Sequence, residues 1–207
     1  MYNYVLDFID TNNLFYEHQY GFRQRHSTQH AIITLVDRIT HSLDKGDIVI
    51  SVFLDLKKAF DTVDHHILLK KLFAYGIRGN SFKWFQSYLS NRSQYVMYDN
   101  KKSKTQYISC GVPQGSILGP LLFIIYMNDI CNVSNLLYTI MYADDTSVSL
   151  SGNNLDNVIN QLSTELNLLT DWLKSNKLSL NAQKNFLSSL PQSKNKNSYH
   201  IHTNGWL

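Results

Sequence analysis

Two adjacent carboxylates, Asp144 and Asp145, stand between two uncharged runs, Leu136 to Met141 before them and Thr146 to Leu150 after them. Apolar run, short polar break, apolar run is the pattern of a hairpin, and Ile140, Tyr142 and Val148 are residue types that suit its strands. Neighbouring carboxylates repel by about 4 kcal/mol at about 4 Å with an effective dielectric near about 20. A turn between buried strands tolerates that repulsion poorly unless a cation is present, so the pair points to a divalent-metal site. Solvated Asp-Asp turns are common, and the reading therefore requires a third carboxylate from elsewhere in the chain.

Asp55 supplies it. The segment from Asp47 to Asp55 is nearly continuous apolar, as in a strand covered on both faces, and Asp55 stands at its carboxyl end. Ligands gather beyond the carboxyl ends of strands. Carboxylates and water suit Mg²⁺, or Mn²⁺ in its place, with remaining positions left to substrate phosphates. The plainer reading, that Asp55 caps a following helix, competes with Asp64, which directly precedes the apolar run from His65 and is the better N-cap. Between the acids lies Gly111-Val112-Pro113-Gln114-Gly115-Ser116, a tight loop feeding an apolar helix from Leu121 to Met127. Such a loop either lets backbone approach a ligand closely or simply turns the chain before a core helix.

Together these residues resemble a known family. Phe53 to Asp61, then Gly111 to Ser116, then Tyr142 to Asp145 are similar to the ordered A, B and C motifs of reverse transcriptases. Gln19-Tyr20-Gly21-Phe22-Arg23 with Ser27-Thr28 resembles the fingers motif upstream of them. Tyr75 to Gly79, Trp84-Phe85 with Tyr88 to Arg92, and Asn176 to Asn181 narrow the resemblance to polymerases of non-LTR, LINE-type, jockey-like retrotransposons. It covers roughly residues 10 to 190.

The resemblance implies an RNA-directed DNA polymerase domain that adds dNTPs to a primer 3′-hydroxyl, with an RNA template and a DNA primer as partners. Two metal ions about 3.5–4 Å apart would serve the displacement. Asp55 and Asp144 would bridge both ions, Asp145 would complete the site, and the Leu56 carbonyl would touch the nucleotide-side ion. Phe60 would sit beneath the incoming sugar and exclude a 2′-hydroxyl, unless it is only a core residue. Gln114, Gly115 and Tyr142 would line the nucleotide pocket. Arg23 would clamp the triphosphate, a task for a planar, always-charged fork, or is an ordinary surface arginine. Lys184 would donate a proton to pyrophosphate, although Asn185 stands where the family usually has Thr. Asp61 and Asp64 are left as supporting or capping residues.

At 207 residues the chain can bury one substantial core with a smaller lobe attached. With 43% hydrophobic and only 17% charged residues it is not a disordered sequence. A formal charge of +3 permits nucleic-acid binding without demanding it. The densest basic cluster, Lys101-Lys102-Ser103-Lys104, reads equally as a solvated hairpin tip or a phosphate contact. Cys110 and Cys131 form neither a CxxC pair nor a zinc framework and suit a reducing compartment. His65-His66 lacks metal-pair spacing and is expected at the surface. The amino terminus lacks a basic-then-apolar signal pattern, and Leu121 to Met127 is too short to span a bilayer. An intracellular location, nuclear or cytoplasmic, and no membrane partner follow by default.

Residues 1–46 read as mostly helical and as partial fingers, 47–190 as the palm with a finger-side insertion, and 191–207 as a mobile tail. Helices are expected from about His65 to Tyr75, Phe82 to Leu89 and Leu155 to Lys174, the last with an apolar stripe that includes Val158, Ile159, Leu162, Leu169 and Leu173. Gln94 to Tyr98 and Thr105 to Ser109 should pair around Asp99 to Lys102, with short strands near Leu178 to Leu180 and Phe186 to Leu190. The sum is an α+β fold, an antiparallel sheet with helices on one face, which the resemblance identifies with a right-hand polymerase palm. Neither an endonuclease region nor a segment for the thumb is expected, which implies weak processivity. The rival reading is a transposon-derived remnant that binds nucleic acid without turnover. A maturase or telomerase is disfavoured by motif spelling and spacing.

Overall fold

The computed structural model describes residues 1–113 and 115–181, and the backbone of 186–190. Gln114, Lys184 and the 191–207 tail lie outside the described residues. Among the described residues eight strands and six α-helices follow one another as α1 (Tyr2–Thr11), α2 (Thr28–Asp44), β1 (Ile48–Leu54), α3 (His65–Ala74), α4 (Gly79–Leu89), β2 (Ser93–Gln94), β3 (Met97–Tyr98), β4 (Lys101–Lys102), β5 (Gln106–Tyr107), α5 (Leu118–Met127), β6 (Tyr138–Tyr142), β7 (Asp145–Gly152), α6 (Leu155–Ser175) and β8 (Phe186–Leu190). The main sheet has the order β6-β7-β1-β8, with every pairing antiparallel.

Helix boundaries follow local chemistry. The Ser27 side chain accepts from the His30 amide at the start of α2, and Gly46 takes φ 84° just past its end. The Asn154 side chain accepts from the Asn157 amide at the start of α6. Asp64 caps α3 as the sequence implies, its Oδ1 accepting from the Ile67 amide at 3.0 Å, and Gly76 at φ 96° stops that helix.

The core forms where α5 meets the sheet. Every residue from Leu121 to Met127 is at most 2% exposed, so this helix is apolar all round because it is surrounded. Burial of each such side chain stabilises the fold by about 1.5–3 kcal/mol relative to exposure. Strand alternation turns Ile50, Val52, Leu54, Val148 and Leu150 into the same cluster. α6 presents Val158, Leu162, Leu169 and Leu173 to it. Lys71 ties α3 to this centre. Its Nζ donates to Asp129 Oδ1 at 2.6 Å and lies between the rings of Tyr126 and Trp172, 4.7 and 4.8 Å from their centroids. Burial pushes this ammonium pKa down, and Asp129 partly opposes the shift. The Tyr126 hydroxyl donates to the Asn176 carbonyl at 2.6 Å, and burial raises its pKa to about 12.

Several expectations need correction. Ile159, placed on the core stripe, is exposed, because it lies at the edge of a buried face whose centre runs through Val158, Leu162, Leu169 and Leu173. The hairpin after α4 turns on Asp99-Asn100 alone, both at positive φ, so Lys101–Lys102 is strand rather than loop. Leu178 to Leu180 contributes one bridge, Leu56 to Leu180, rather than a strand. His65 is half-buried rather than freely exposed, with its Nε2 2.7 Å from the Gly111 carbonyl. Helices α5 and α6 pack on one sheet face, whereas α2 approaches the other, where Ala31, Ile32 and Leu35 border a cleft with Phe53 and Ile140. Among the described residues no helix is long and apolar enough to cross a membrane.

Asp64 offers a test of this framework. Burial raises its carboxyl pKa, but hydrogen bonds from Lys177, at 2.6 Å, and from the Ile67 amide outweigh burial and hold the pKa below the ordinary value. Its contribution is therefore complete above the unfolded value of about 3.9 and is lost as pH falls through the lower folded value. Asp64→Ala is expected to lower stability at neutral pH by about 1 kcal/mol, and the difference should vanish in strong acid. Urea midpoints for both chains across that pH range check it.

Candidate active site

The β1–β7 register fixes the geometry of the acids. Leu54 pairs with Thr146, and one step further along the ladder stand Asp55 and Asp145. Asp145 pairs on its other side with Tyr142. Alternation turns Phe53, Asp55, Ser147 and Tyr142 away from the core, and with Asp145 they line an open cleft of about 480 Å³. Asp55 and Asp144 are half-buried and Asp145 is exposed. Asp144 is not part of the cleft wall; it occupies the second position of the two-residue turn Ala143-Asp144. Ala143 takes φ 60° at the first position, the pattern of a type II′ hairpin turn. A left-handed alanine is strained by roughly 1–2 kcal/mol and persists only when its surroundings hold it there.

Those surroundings come from residues 18–21. The Met141 amide donates to the His18 carbonyl at 2.9 Å and the Tyr20 amide to the Met141 carbonyl at 2.8 Å, so this segment lies along β6 as a parallel edge. Gln19 is wholly buried beneath the turn, and its Oε1 accepts from the Gly21 amide at 2.8 Å and the Ala143 amide at 3.3 Å. The Gln-Tyr-Gly motif thus braces the acidic turn from behind. Arg23 follows it and faces inward. Its Nη1 donates to the carbonyls of Tyr16 at 3.1 Å and Gln19 at 3.3 Å, and its guanidinium stacks 5.1 Å from the Phe15 ring. Burial lowers its pKa. The structure does not bring Arg23 into the cleft wall.

Asp55 has a partner whose role the sequence reading missed. The Asn181 amide nitrogen donates to the Asp55 carbonyl, and Asn181 Nδ2 donates to Asp55 Oδ2, both at 2.8 Å. The Lys57 amide donates to the Ser179 carbonyl at 2.8 Å, leaving Leu56 and Leu180 as the pair between these bonds. The Leu56 carbonyl is therefore not used in this pairing. The signal was available: Leu178 and Leu180 alternate with Ser179 and Asn181, the period of a half-buried strand edge.

The Gly111 loop docks on the turn after β1. The Gly111 amide donates to the Val63 carbonyl at 2.7 Å and the Val112 amide to the Phe60 carbonyl at 2.9 Å. Gly111 takes φ 89°, and a Cβ there would lie 2.9 Å from the Asp61 carbonyl oxygen, so no other residue fits. Phe60 stacks on Phe123, with centroids 4.4 Å apart and an interplanar angle of 21°, and meets Phe22 edge-on at 6.0 Å. Gly115 is exposed at φ 77°.

Among the described residues no group of three or more His, Cys, Asp and Glu side chains is gathered tightly enough to hold a metal ion. What the fold brings together is the facing pair Asp55 and Asp145, with Asp144 one residue away at the turn. That donor set fits Mg²⁺, which is bound through one or two carboxylates plus substrate phosphates rather than by an all-protein cage.

Residues 1–200 match the family described as reverse transcriptase (RNA-dependent DNA polymerase). The chain belongs to the reverse transcriptase family. Its relatives include, from Drosophila melanogaster, the probable RNA-directed DNA polymerase from transposon BS, 34% identical over 197 residues, which is 88% of this chain and 21% of the relative. The RNA-directed DNA polymerase from mobile element jockey, of the same fly, is 28% identical over 192 residues, covering 88% of this chain and 20% of the relative. The chain thus spans about a fifth of the length of these curated relatives. Among solved structures, a telomerase from Candida tropicalis in complex with a fragment of telomeric RNA superposes with a TM-score of 0.68 at 11% identity, over 98% of this chain and 34% of that one. An apo form lacking its C-terminal domain gives 0.67, over 97% and 41%. These neighbours support the reverse transcriptase palm fold.

Gly21 tests the bracing of the reverse transcriptase turn. A Cβ on Gly21 would lie 2.1 Å from the Ala143 amide nitrogen, in backbone that cannot step aside. Gly21→Ala is expected to destabilise the chain by about 1–3 kcal/mol, measured by urea unfolding, with loss of amide-exchange protection at Met141 and Ala143.

Proposed function

We propose that this chain is the catalytic palm of an RNA-directed DNA polymerase, transferring nucleotides from dNTPs to the 3′-hydroxyl of a DNA primer on an RNA template. The observation that carries the reading is the facing of Asp55 and Asp145 across β1 and β7, in an open cleft, with Asp144 in the adjoining turn. No structural demand of the fold calls for like charges on opposed strands, where they destabilise the pairing.

Asp55, Asp144, Asp145 and the Leu56 carbonyl would hold two Mg²⁺ ions, with Mn²⁺ as the substitute. When bound, these ions supply charge stabilisation at the transferring phosphoryl group and ease deprotonation of the attacking hydroxyl. The protein's own part is placement. Asn181 fixes one oxygen of Asp55, so the carboxylate meets its ligand in a single orientation. Phe60, held against Phe123, would exclude a 2′-hydroxyl by shape. Tyr142 beside Asp145, with Gln114 and Gly115 of the loop, would border the nucleotide. Arg23 would reach a triphosphate only by giving up its bonds to Tyr16 and Gln19, and Lys184 is retained as the proton donor to pyrophosphate.

Primer extension on an RNA template with Mg²⁺ tests the reading. Asp144→Ala and Asp55→Asn are each expected to lower the rate about a thousandfold, corresponding to several kcal/mol of transition-state stabilisation. Equal activity of Asp144→Ala and the parent chain removes the catalytic claim and leaves a nucleic-acid-binding remnant. Asn181→Ala is expected to raise the Mg²⁺ concentration at half-maximal rate by about 10–100-fold, with a smaller change in rate at saturating Mg²⁺. An unchanged rate and Mg²⁺ dependence would show that Asn181 serves through its backbone amide alone, and a fall in rate that saturating Mg²⁺ does not restore would assign its side chain a structural role.

A further inference from the structure

The hairpin from Arg92 to Ile108 has no part in the chemistry above, yet it holds the chain's excess charge. Residues 92–107 contain four cations (Arg92, Lys101, Lys102 and Lys104) against one anion, Asp99. The 19 basic and 16 acidic residues of the whole chain leave equal numbers elsewhere, so the formal +3 is the charge of this hairpin. Aromatic rings are interleaved with those cations. Tyr98 and Tyr107 are 81% and 84% exposed, and Tyr98 pairs directly with Lys101 across the tip. Lys102 Nζ lies 3.8 Å from the centroid of the half-exposed Tyr95 ring. At the base, Trp84 and Tyr88 of α4 stack at 5.1 Å and 11°, with the Arg92 guanidinium 5.1 Å from the Tyr88 ring.

We propose that this hairpin and its aromatic base form a landing surface for single-stranded RNA, the template before it enters the cleft. The proposal rests on the RNA-templated reading above for the identity of the strand. Rings on which bases stack, alternating with cations that track phosphates, are what sequence-tolerant single-strand binding requires. A duplex keeps its base faces stacked inside and offers nothing to Tyr98 or Tyr107. An apolar protein face, including other parts of a longer protein, fits poorly, because lysine is depleted where interfaces are fully buried. An acidic protein segment would engage the lysines and leave the rings idle.

Fluorescence anisotropy of the full chain with a labelled, unstructured 20-nucleotide RNA, in the absence of Mg²⁺ and dNTPs, tests this over a series of salt concentrations. Replacing Lys101, Lys102 and Lys104 together by Ser is expected to reduce the slope of log affinity against log salt by about 2. Tyr98→Ser with Tyr107→Ser should weaken binding at least about fivefold and leave that slope unchanged. The substituted side chains are exposed, so thermal melts by circular dichroism should match the parent. Unlabelled DNA of the same sequence competing as well as RNA supports the surface, since base faces and phosphates are common to both. Unchanged affinity in both variants, or displacement of the RNA by duplex DNA or polyglutamate as readily as by unlabelled RNA, overturns it. Hairpin-dependent RNA binding by a chain that fails to extend a primer sinks the polymerase reading and leaves this one standing. Primer extension by a chain whose RNA affinity ignores the hairpin does the reverse.

Discussion

The antiparallel pairing of β1 with β7 sets the position of everything else in the cleft. Seven consecutive residue pairs, Ile48 with Gly152 through Leu54 with Thr146, hold one register. Because side chains alternate with period two, a slip of one residue would turn Asp55 into the core and Leu54 into the cleft. The apolar residues at Ile50, Val52, Leu54, Val148 and Leu150 prevent that slip, since each would lose its burial at once. The packing that stabilises the sheet is thus the same packing that aims the carboxylates.

A second layer of constraint acts on the turn itself. Ala143 is held at positive φ between two braces: the Gln19 side chain beneath it and the backbone of residues 18–21 along β6. Gly21 lies so close to Ala143 that no side chain fits between them. On the other strand, Asn181 grips Asp55 by both backbone and side chain. The acids are therefore positioned from outside their own hairpin, by segments that contain none of them.

Much of this was legible beforehand. The uncharged runs around Asp144 and Asp145 define the hairpin, and the apolar run ending at Asp55 defines its neighbour, because hydrophobic period and charge placement are local signals. Asp64 as a cap and Gly76 as a stop were readable for the same reason. What sequence did not reveal is set by contacts between distant residues. Nothing around Gln19 announces that its amide will sit under residue 143, and the alternation that marks Asn181 as part of a strand edge does not say which residue its side chain will meet. Arg23 looked like a clamp by motif, while the fold turns it toward the carbonyls of Tyr16 and Gln19. Position along the motif fixes where a residue stands, but only packing fixes which way it points.

The separations involved bear on how such a domain reaches its native state. Asn128 accepts from the Tyr16 amide across 112 residues, Gln19 meets the Ala143 amide across 124, and Asn181 meets Asp55 across 126. Contacts of that span raise contact order and slow folding, because the chain must close long loops before any of them is rewarded. During synthesis residues 18–21 are made long before β6, their strand partner, and Asp55 well before Asn181. The cleft therefore depends on contacts that close only after residue 181 has been made, which places its assembly late in folding.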